Sequence, residues 1–240
     1  MAQLQRIAIA PAQLQQSQIL LTPQQLHYLG RVLRLHSGDR FIAMDGMGKW
    51  WLAQLTGEEA QIVELLSVET ELPITITLMV SLPKGNGFDE VVRCCTEIGV
   101  SCIVPVISDR TLLHPSPQKL ERWRRITTEA AEQSERAFVP TILEPVAFSS
   151  ALSSMVSPQK YICEGRGNYP HFSHFLLNAA QISHDQELII ATGPEGGWTE
   201  TEIANAIASG FQPVSLGRRI LRAVTAPIVA LSLVTAACEV

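Results

Sequence analysis

The 240-residue sequence is poor in charge, with Asp, Glu, Lys and Arg making up 17% of it against 46% apolar residues. A disordered or fibrous chain has a different balance, so this one is globular, long enough for one or two domains and a real core. It lacks any apolar run of the ~20 residues that a membrane-spanning helix needs. The most apolar stretch, Ala226 to Cys238, is shorter and reads as a buried helix. At the N-terminus, MAQLQRIAIAPAQLQQ has neither the basic region nor the apolar core of a signal peptide. The cysteines are few and odd in number, five (Cys94, Cys95, Cys102, Cys163, Cys238), and no CxxC or HxxxH spacing accompanies them. The expectations are a reducing cytoplasm, no membrane and no metal. There is no P-loop and no GxSxG nucleophile elbow, and Gly85-Asn86-Gly87 is a dinucleotide fingerprint without its third glycine. His171 and His174 lack a third ligand, and Cys94-Cys95 sits in an apolar helical pattern that reads as core.

What is present divides into two parts. Short apolar runs at Ile7 to Ile9, Ile19 to Leu21, Arg40 to Met44, Trp50 to Leu55 and Gln61 to Val68 predict a small β-rich unit. One helix interrupts it, with Thr22 as N-cap, Pro23 at the first helical position and Leu26, Leu29, Val32 and Leu33 at helical spacing. Asp45-Gly46-Met47-Gly48 is a hairpin turn. Pro73 then closes a glutamate-rich segment, which places a boundary near residues 70 to 74 and gives domains 1–72 and 73–240. From Ile74 on, strands alternate with helices: strands at 74–82, 101–107, 160–163, 187–192 and 212–216, helices at 88–98 and 116–137. Near-continuously apolar strands alternating with helices predict an α/β domain with a parallel sheet covered on both faces. Ligands of such sheets bind beyond the carboxyl ends of the strands, in the loops after Leu82, Cys163, Thr192 and Leu216.

Two of those loops are unusual. After ELIIAT comes Gly193-Pro194-Glu195-Gly196-Gly197-Trp198, then Thr199 and Glu202 as a capping box. Such a loop lets a ligand approach the main chain closely, although a tight strand-to-helix turn would account for it equally. After Leu216 comes Gly217-Arg218-Arg219-Ile220-Leu221-Arg222-Ala223-Val224-Thr225-Ala226-Pro227, with three arginines in five residues beside a helix start. That is either a concentrated positive site or a solvated basic loop.

GPEGGWTETEI followed by LGRRILRAVTAP, ahead of an apolar C-terminal helix, resembles the 16S rRNA uridine-N3 methyltransferase (RsmE) family of the SPOUT superfamily. HYLGRVLRLHSGDRF with the DGMG turn looks like that family's N-terminal RNA-binding domain; KGNGFDEVVRCCTEIGVSCIVPVISDRT and KLERWRRITTEAAEQSERAFVP look like its central motifs. The resemblance spans essentially the whole chain. It implies a PUA-like β-barrel joined to a SPOUT domain whose C-terminal part is threaded as a trefoil knot, working as a homodimer on 16S rRNA in the small ribosomal subunit. It also implies S-adenosyl-L-methionine as cofactor, held by Gly193, Pro194, Glu195, Gly196 and Gly197 on one wall and Leu216, Gly217, Ile220 and Leu221 on another. The strand ends at Ile162, Glu164 and Thr192 and the helix start at Thr225 complete that expectation. Arg222 is expected to stabilise a uracil anion, with Glu195 as proton acceptor or loop-positioning group. Arg31, Arg34, Arg110 and Arg136 are expected on RNA phosphates. Two departures stand out: the family usually reads L-R-x-E-T-A where this chain has Val224, and Cys94 stands where a lysine is common. The alternatives are an RNA-binding or ribosome-assembly factor that has lost catalysis, and methylation of another RNA.

The net charge of -5 argues at face value against an RNA partner, but it is an average. Residues 1–57 carry five basic side chains (Arg6, Arg31, Arg34, Arg40, Lys49) against two acids (Asp39, Asp45), a local +3. The five glutamates between residues 58 and 71 cancel it, and Arg218, Arg219 and Arg222 form a second basic locus.

Overall fold

The computed structural model describes residues 4–177 and 186–239, and the chain divides into two compact units. One comprises the residues up to Glu71 together with Ala131–Val139; the other comprises Leu72–Ala130 and the chain from Pro140 onward.

In the first unit, strands β1 (Arg6–Ala8), β2 (Leu14–Gln15) and β3 (Gln18–Leu20) precede helix α1 (Pro23–His27), and β4 (Arg40–Met44), β5 (Trp50–Thr56) and β6 (Glu59–Leu66) follow it. They form a six-stranded sheet in the order β1-β4-β5-β6-β3-β2, parallel between β1 and β4 and antiparallel elsewhere. Helix α1 starts where the sequence predicts: Gln25 N donates to Thr22 Oγ1 at 3.2 Å, and Thr22 N donates to Gln25 Oε1 at 2.8 Å. The helical repeat toward Leu33 changes form at Tyr28, where Tyr28–Val32 wind as a π turn. Arg31 lies on that turn and Arg34 just after it, both exposed. In the DGMG turn, Asp45 Oδ1 accepts from Met47 N at 2.8 Å and Lys49 N at 3.0 Å.

The expected helix over 116–137 stops at Gln133, and its end from Ala131, with the residues on to Val139, belongs to the N-terminal unit. This corrects the expectation for Arg136. The side chain is 4% exposed and its Nη2 donates to Glu71 Oε2 at 2.5 Å, while Glu71 Oε1 accepts from Ala137 N at 2.8 Å. A guanidinium buried and spent in this way is a structural element, not a phosphate contact. Removing one partner strands the other charge, so Arg136→Ala is expected to destabilise the N-terminal unit by about 3 kcal/mol, read as a lower urea midpoint.

The second unit is built on strands β7 (Thr75–Ser81), β8 (Cys102–Ile107), β9 (Thr141–Ile142), β10 (Val146–Ala147), β11 (Gln159–Cys163), β12 (Glu187–Thr192) and β13 (Gln212–Val214). Between and after them come α2 (Gly87–Ile98), α3 (Pro117–Gln133), α4 (Phe148–Ser154), α5 (Ser173–Leu177), α6 (Glu200–Ala208) and α7 (Thr225–Cys238). The strand order is β10-β8-β7-β12-β11-β13, with β9 also beside β8, and every pairing is parallel. Apolar clusters cover both faces, one around Ile76, Leu78, Phe88, Trp123 and Leu231, the other around Met79, Val104, Ile189, Phe148 and Trp198. Burial on both sides explains the strands' near-continuous apolar sequences. The prolines sit where a missing N–H costs nothing. Pro213 lies in the edge strand β13, and Pro105 of β8 falls between the residues paired to β9 and those paired to β10.

Because β12 lies between β7 and β11, with β13 outside β11, the loops after Ser81, Cys163, Thr192 and Val214 leave one edge of the sheet side by side. Among the described residues, no helix is long and apolar enough to cross a membrane.

Candidate active site

Three of those loops enclose a narrow crevice of about 80 Å³. Its walls are Cys163 to Arg166 after β11, Gly193 to Trp198 without Gly196 after β12, and Leu216 to Ala223 after β13, where Arg218 and Arg222 are not among the lining residues; Ala226 of α7 adds to them. The fourth loop reaches the same place, since Lys84 N donates to Glu195 Oε1 at 2.9 Å.

Local chemistry fixes each wall. Trp198 closes the glycine loop: its Nε1 donates to Cys163 O at 3.2 Å and its ring stacks on Phe148, centroids 4.3 Å apart. A Cβ on Gly193 would stand 3.1 Å from Trp198 Nε1, so a side chain here would press on the indole, which would have to give by a few tenths of an ångström. The capping box of α6 forms as read, Glu202 N donating to Thr199 Oγ1 and Thr199 N to Glu202 Oε2. The same carboxylate, 6% exposed, also accepts from Asp109 N at 2.9 Å, so it ties the loop after β8 to the glycine loop. Ser215 Oγ brackets Gly217, accepting its N–H at 3.1 Å and donating to its carbonyl at 3.2 Å, in a turn whose φ of +117 glycine alone adopts freely. Helix α7 begins on Arg222, whose carbonyl accepts from Thr225 N and Ala226 N, both at 2.9 Å. The helix starts at Thr225, as expected, with Val224 at the N-cap position and no side-chain capping bond.

Of the expected cofactor residues, the crevice brings together Glu164, Gly193, Pro194, Glu195, Gly197, Leu216, Gly217, Ile220 and Leu221. It leaves out four. Ile162 is fully buried in the core, because the strand's pleat turns it to the face opposite Tyr161 and Cys163. Gly196 offers its carbonyl to Arg110 and Arg166 instead, and Thr225 gives way to Ala226. Thr192 is buried just before Gly193, and its Oγ1 has no hydrogen-bond partner among the described residues. Arg222 is exposed beside the crevice, while Arg219 lines it. Cys163 lies within the expected strand end, whereas Gly165, Arg166, Trp198, Arg219, Ala223 and Ala226 line the crevice without having been expected on the cofactor, although EGRG after an apolar strand carries the same glycine-and-charge signal as the other loops.

Burial and the neighbouring Glu164 push the Cys163 thiol up to about 12, so it faces the crevice as a neutral thiol. Burial and Glu187 likewise push Cys102 up to about 11. An unfolded thiol ionises near 9.0 and these two do not, so their contribution is fully present below pH 9 and is lost as pH rises toward the folded values. Stability is expected to fall by about 1.4 kcal/mol per pH unit per thiol above that point, visible in urea midpoints at pH 8 and pH 10.5, and Cys163→Ala should flatten the decline.

Residues 70–235 match the family model of an RNA methyltransferase domain, and residues 21–65 match an RNA methyltransferase PUA domain. A ribosomal RNA small subunit methyltransferase E from Synechocystis is 48% identical over 98% of this chain and 78% of its own length. The chain belongs to the ribosomal RNA small subunit methyltransferase E family. The Bacillus subtilis member is 30% identical over 90% of this chain and 88% of its own. A crystal structure of the Neisseria gonorrhoeae member bound to S-adenosyl methionine superimposes with a TM-score of 0.84 at 33% identity, covering 95% of each chain. In this member of the methyltransferase E family, Val224 caps α7 and packs against the larger core cluster, and a Cβ on Gly87 would meet its Cγ2 at 2.8 Å. The place where the family resemblance leads one to expect a glutamate is therefore an apolar contact at the start of α2.

Proposed function

We propose that the protein is an S-adenosyl-L-methionine-dependent methyltransferase acting on N3 of a uridine in 16S rRNA of the small ribosomal subunit. The observation that carries this reading is the convergence of the glycine loop and the arginine loop on one crevice, in a chain of this family. The residues fit the cofactor. Glycines at 193 and 197 leave main chain open on one side, Leu216, Ile220, Leu221 and Ala226 supply an apolar surface on the other, and the unpartnered Thr192 hydroxyl lies just before the glycine loop.

When bound, the cofactor supplies an electrophilic methyl group. The protein's share is to make the uracil nitrogen nucleophilic and to hold it in line. That nitrogen carries a proton and attacks only after giving it up to solvent water, so a cation beside the ring favours the anion. Arg222 takes this role, with an exposed guanidinium whose planar fork of donors suits the uracil edge. Glu195, bound through Oε1 to the Lys84 main chain, holds the glycine loop against the loop after β7. Arg31 and Arg34 contact RNA phosphates from the N-terminal unit, a PUA-like barrel, and the second unit carries catalysis. The C-terminal trefoil knot, the homodimer and the cytoplasmic location belong to the same reading and rest on the family resemblance.

The test is incubation of the purified protein with methyl-labelled cofactor and 30S subunits that lack the modification, followed by nuclease digestion and mass spectrometry. The expected product is 3-methyluridine; its absence sinks the reading. Val224 favours one competitor, an assembly factor that binds cofactor without transferring its methyl. Calorimetric binding of S-adenosylmethionine with no methylated product would establish that instead.

A further inference from the structure

Beside the crevice, and sharing Glu164, Arg166 and Trp198 with it, lies a wider groove of about 560 Å³. One side is a face of α6, where Glu200, Ile203, Ala204 and Ile207 recur at helical spacing and Ile207 is 49% exposed. Arg110, Arg166 and Tyr169 also line the groove. Tyr169 is seated on Gly167, where a Cβ would stand 2.7 Å from the ring. The two guanidiniums meet on one neutral acceptor: Arg110 Nη1 donates to Gly196 O at 2.7 Å and to Trp198 O at 3.2 Å, and Arg166 Nη1 reaches Gly196 O at 3.4 Å. Neither forms an ion pair among the described residues. Of the two acids on the groove, Glu164 accepts the main-chain N–H of Arg166 at 2.6 Å and Glu200 lies at the start of α6. Two like charges held together by a carbonyl, each with guanidinium N–H groups to spare, form a site for a phosphate oxygen. A tyrosine and an apolar helix face lining one groove suit a planar base, which stacks on aromatic and apolar side chains.

We propose that this groove binds the nucleotide flanking the target uridine in a single-stranded RNA segment, its phosphodiester on Arg110 and Arg166 and its base between Tyr169 and the Ile203–Ile207 face. The inference rests on the methyltransferase reading of the crevice, and it assigns Arg166, Tyr169 and Ile207 to substrate recognition. Stacking is tolerant of base identity, so the groove positions the RNA and does not read its sequence.

Two binding measurements test it, with a single-stranded five-nucleotide RNA carrying a central uridine and with S-adenosylmethionine alone. Tyr169→Ala and Ile207→Glu are each expected to weaken RNA binding about tenfold and to leave cofactor binding unchanged, with Tyr169→Phe close to wild type. In turnover with 30S subunits the same two variants should raise KM for the RNA substrate far more than they lower kcat. Wild-type RNA affinity in both variants overturns the proposal. So does conversion of a dimer to a monomer by Ile207→Glu in light scattering, which would assign this face to a second copy of the chain. If the wild-type protein makes no 3-methyluridine, the reading of the crevice fails separately, and the oligonucleotide measurement still decides the groove.

Discussion

Arg222→Ala is expected to cut methyl transfer to 30S subunits about a hundred- to a thousandfold, the loss typical of removing one charge-stabilising donor. Cofactor affinity should hardly change, because the Arg222 side chain is exposed beside the crevice and does not line it. Arg219, three residues earlier, does line it. Arg219→Ala should therefore show the opposite split, with weaker cofactor binding and a smaller change in kcat. Lysine at 222 keeps the charge but loses the planar fork, and should recover only part of the rate. Steady-state kinetics in both substrates, with calorimetry for the cofactor, separates these outcomes. A normal kcat in Arg222→Ala would move the anion-stabilising role elsewhere in the loop.

Gly193→Val acts on the opposite wall. The added Cβ would start 3.1 Å from Trp198 Nε1 and 3.2 Å from Cε2, so the indole already has to give before valine's two methyl groups are added. Moving the ring breaks its hydrogen bond to Cys163 O and its stack on Phe148, the contacts that join the glycine loop to β11 and α4. Overpacking of this kind costs about 1–3 kcal/mol in stability. The larger effect is on binding, since a loop displaced by about 1 Å loses on the order of a hundredfold in function. Cofactor affinity by calorimetry and a melting curve should both fall, with Gly193→Ala between wild type and valine. Unaltered cofactor affinity in the valine variant would mean that this loop does not hold the cofactor.

Much of this was legible in the sequence because the signals were local. Thr22 with Pro23, Thr199 with Glu202, and the apolar run ELIIAT mark their own elements, and Glu187–Thr192 forms a strand over just those residues. The site was legible as a set of loops because a parallel sheet delivers its strand ends to one edge, whatever the strand order. Which atoms face the crevice was not. Ile162 and Cys163 are neighbours in sequence, and only the pairing of β11 between β12 and β13 decides which face each takes. The second task of Glu202 at Asp109 depends on two loops 93 residues apart meeting at the sheet edge. Arg136 misled for the same reason: its partner Glu71 is 65 residues away, so it read as one more free arginine.

That pairing has a consequence for how the chain is made. The N-terminal unit is discontinuous: Arg6 reaches Glu135, Ala8 N donates to Glu132, and Glu71 waits for Arg136. A ribosome releasing the chain from its N-terminus delivers the strands of the first sheet well before the residues that complete its interior. Until Ala131–Val139 emerges, Glu71 has no guanidinium to meet and Trp50 lacks Val139 in its apolar cluster. The N-terminal unit therefore cannot finish folding until the sequence of α2, β8 and all of α3 has been synthesised, and a fragment cut at residue 72 would stop at that incomplete stage.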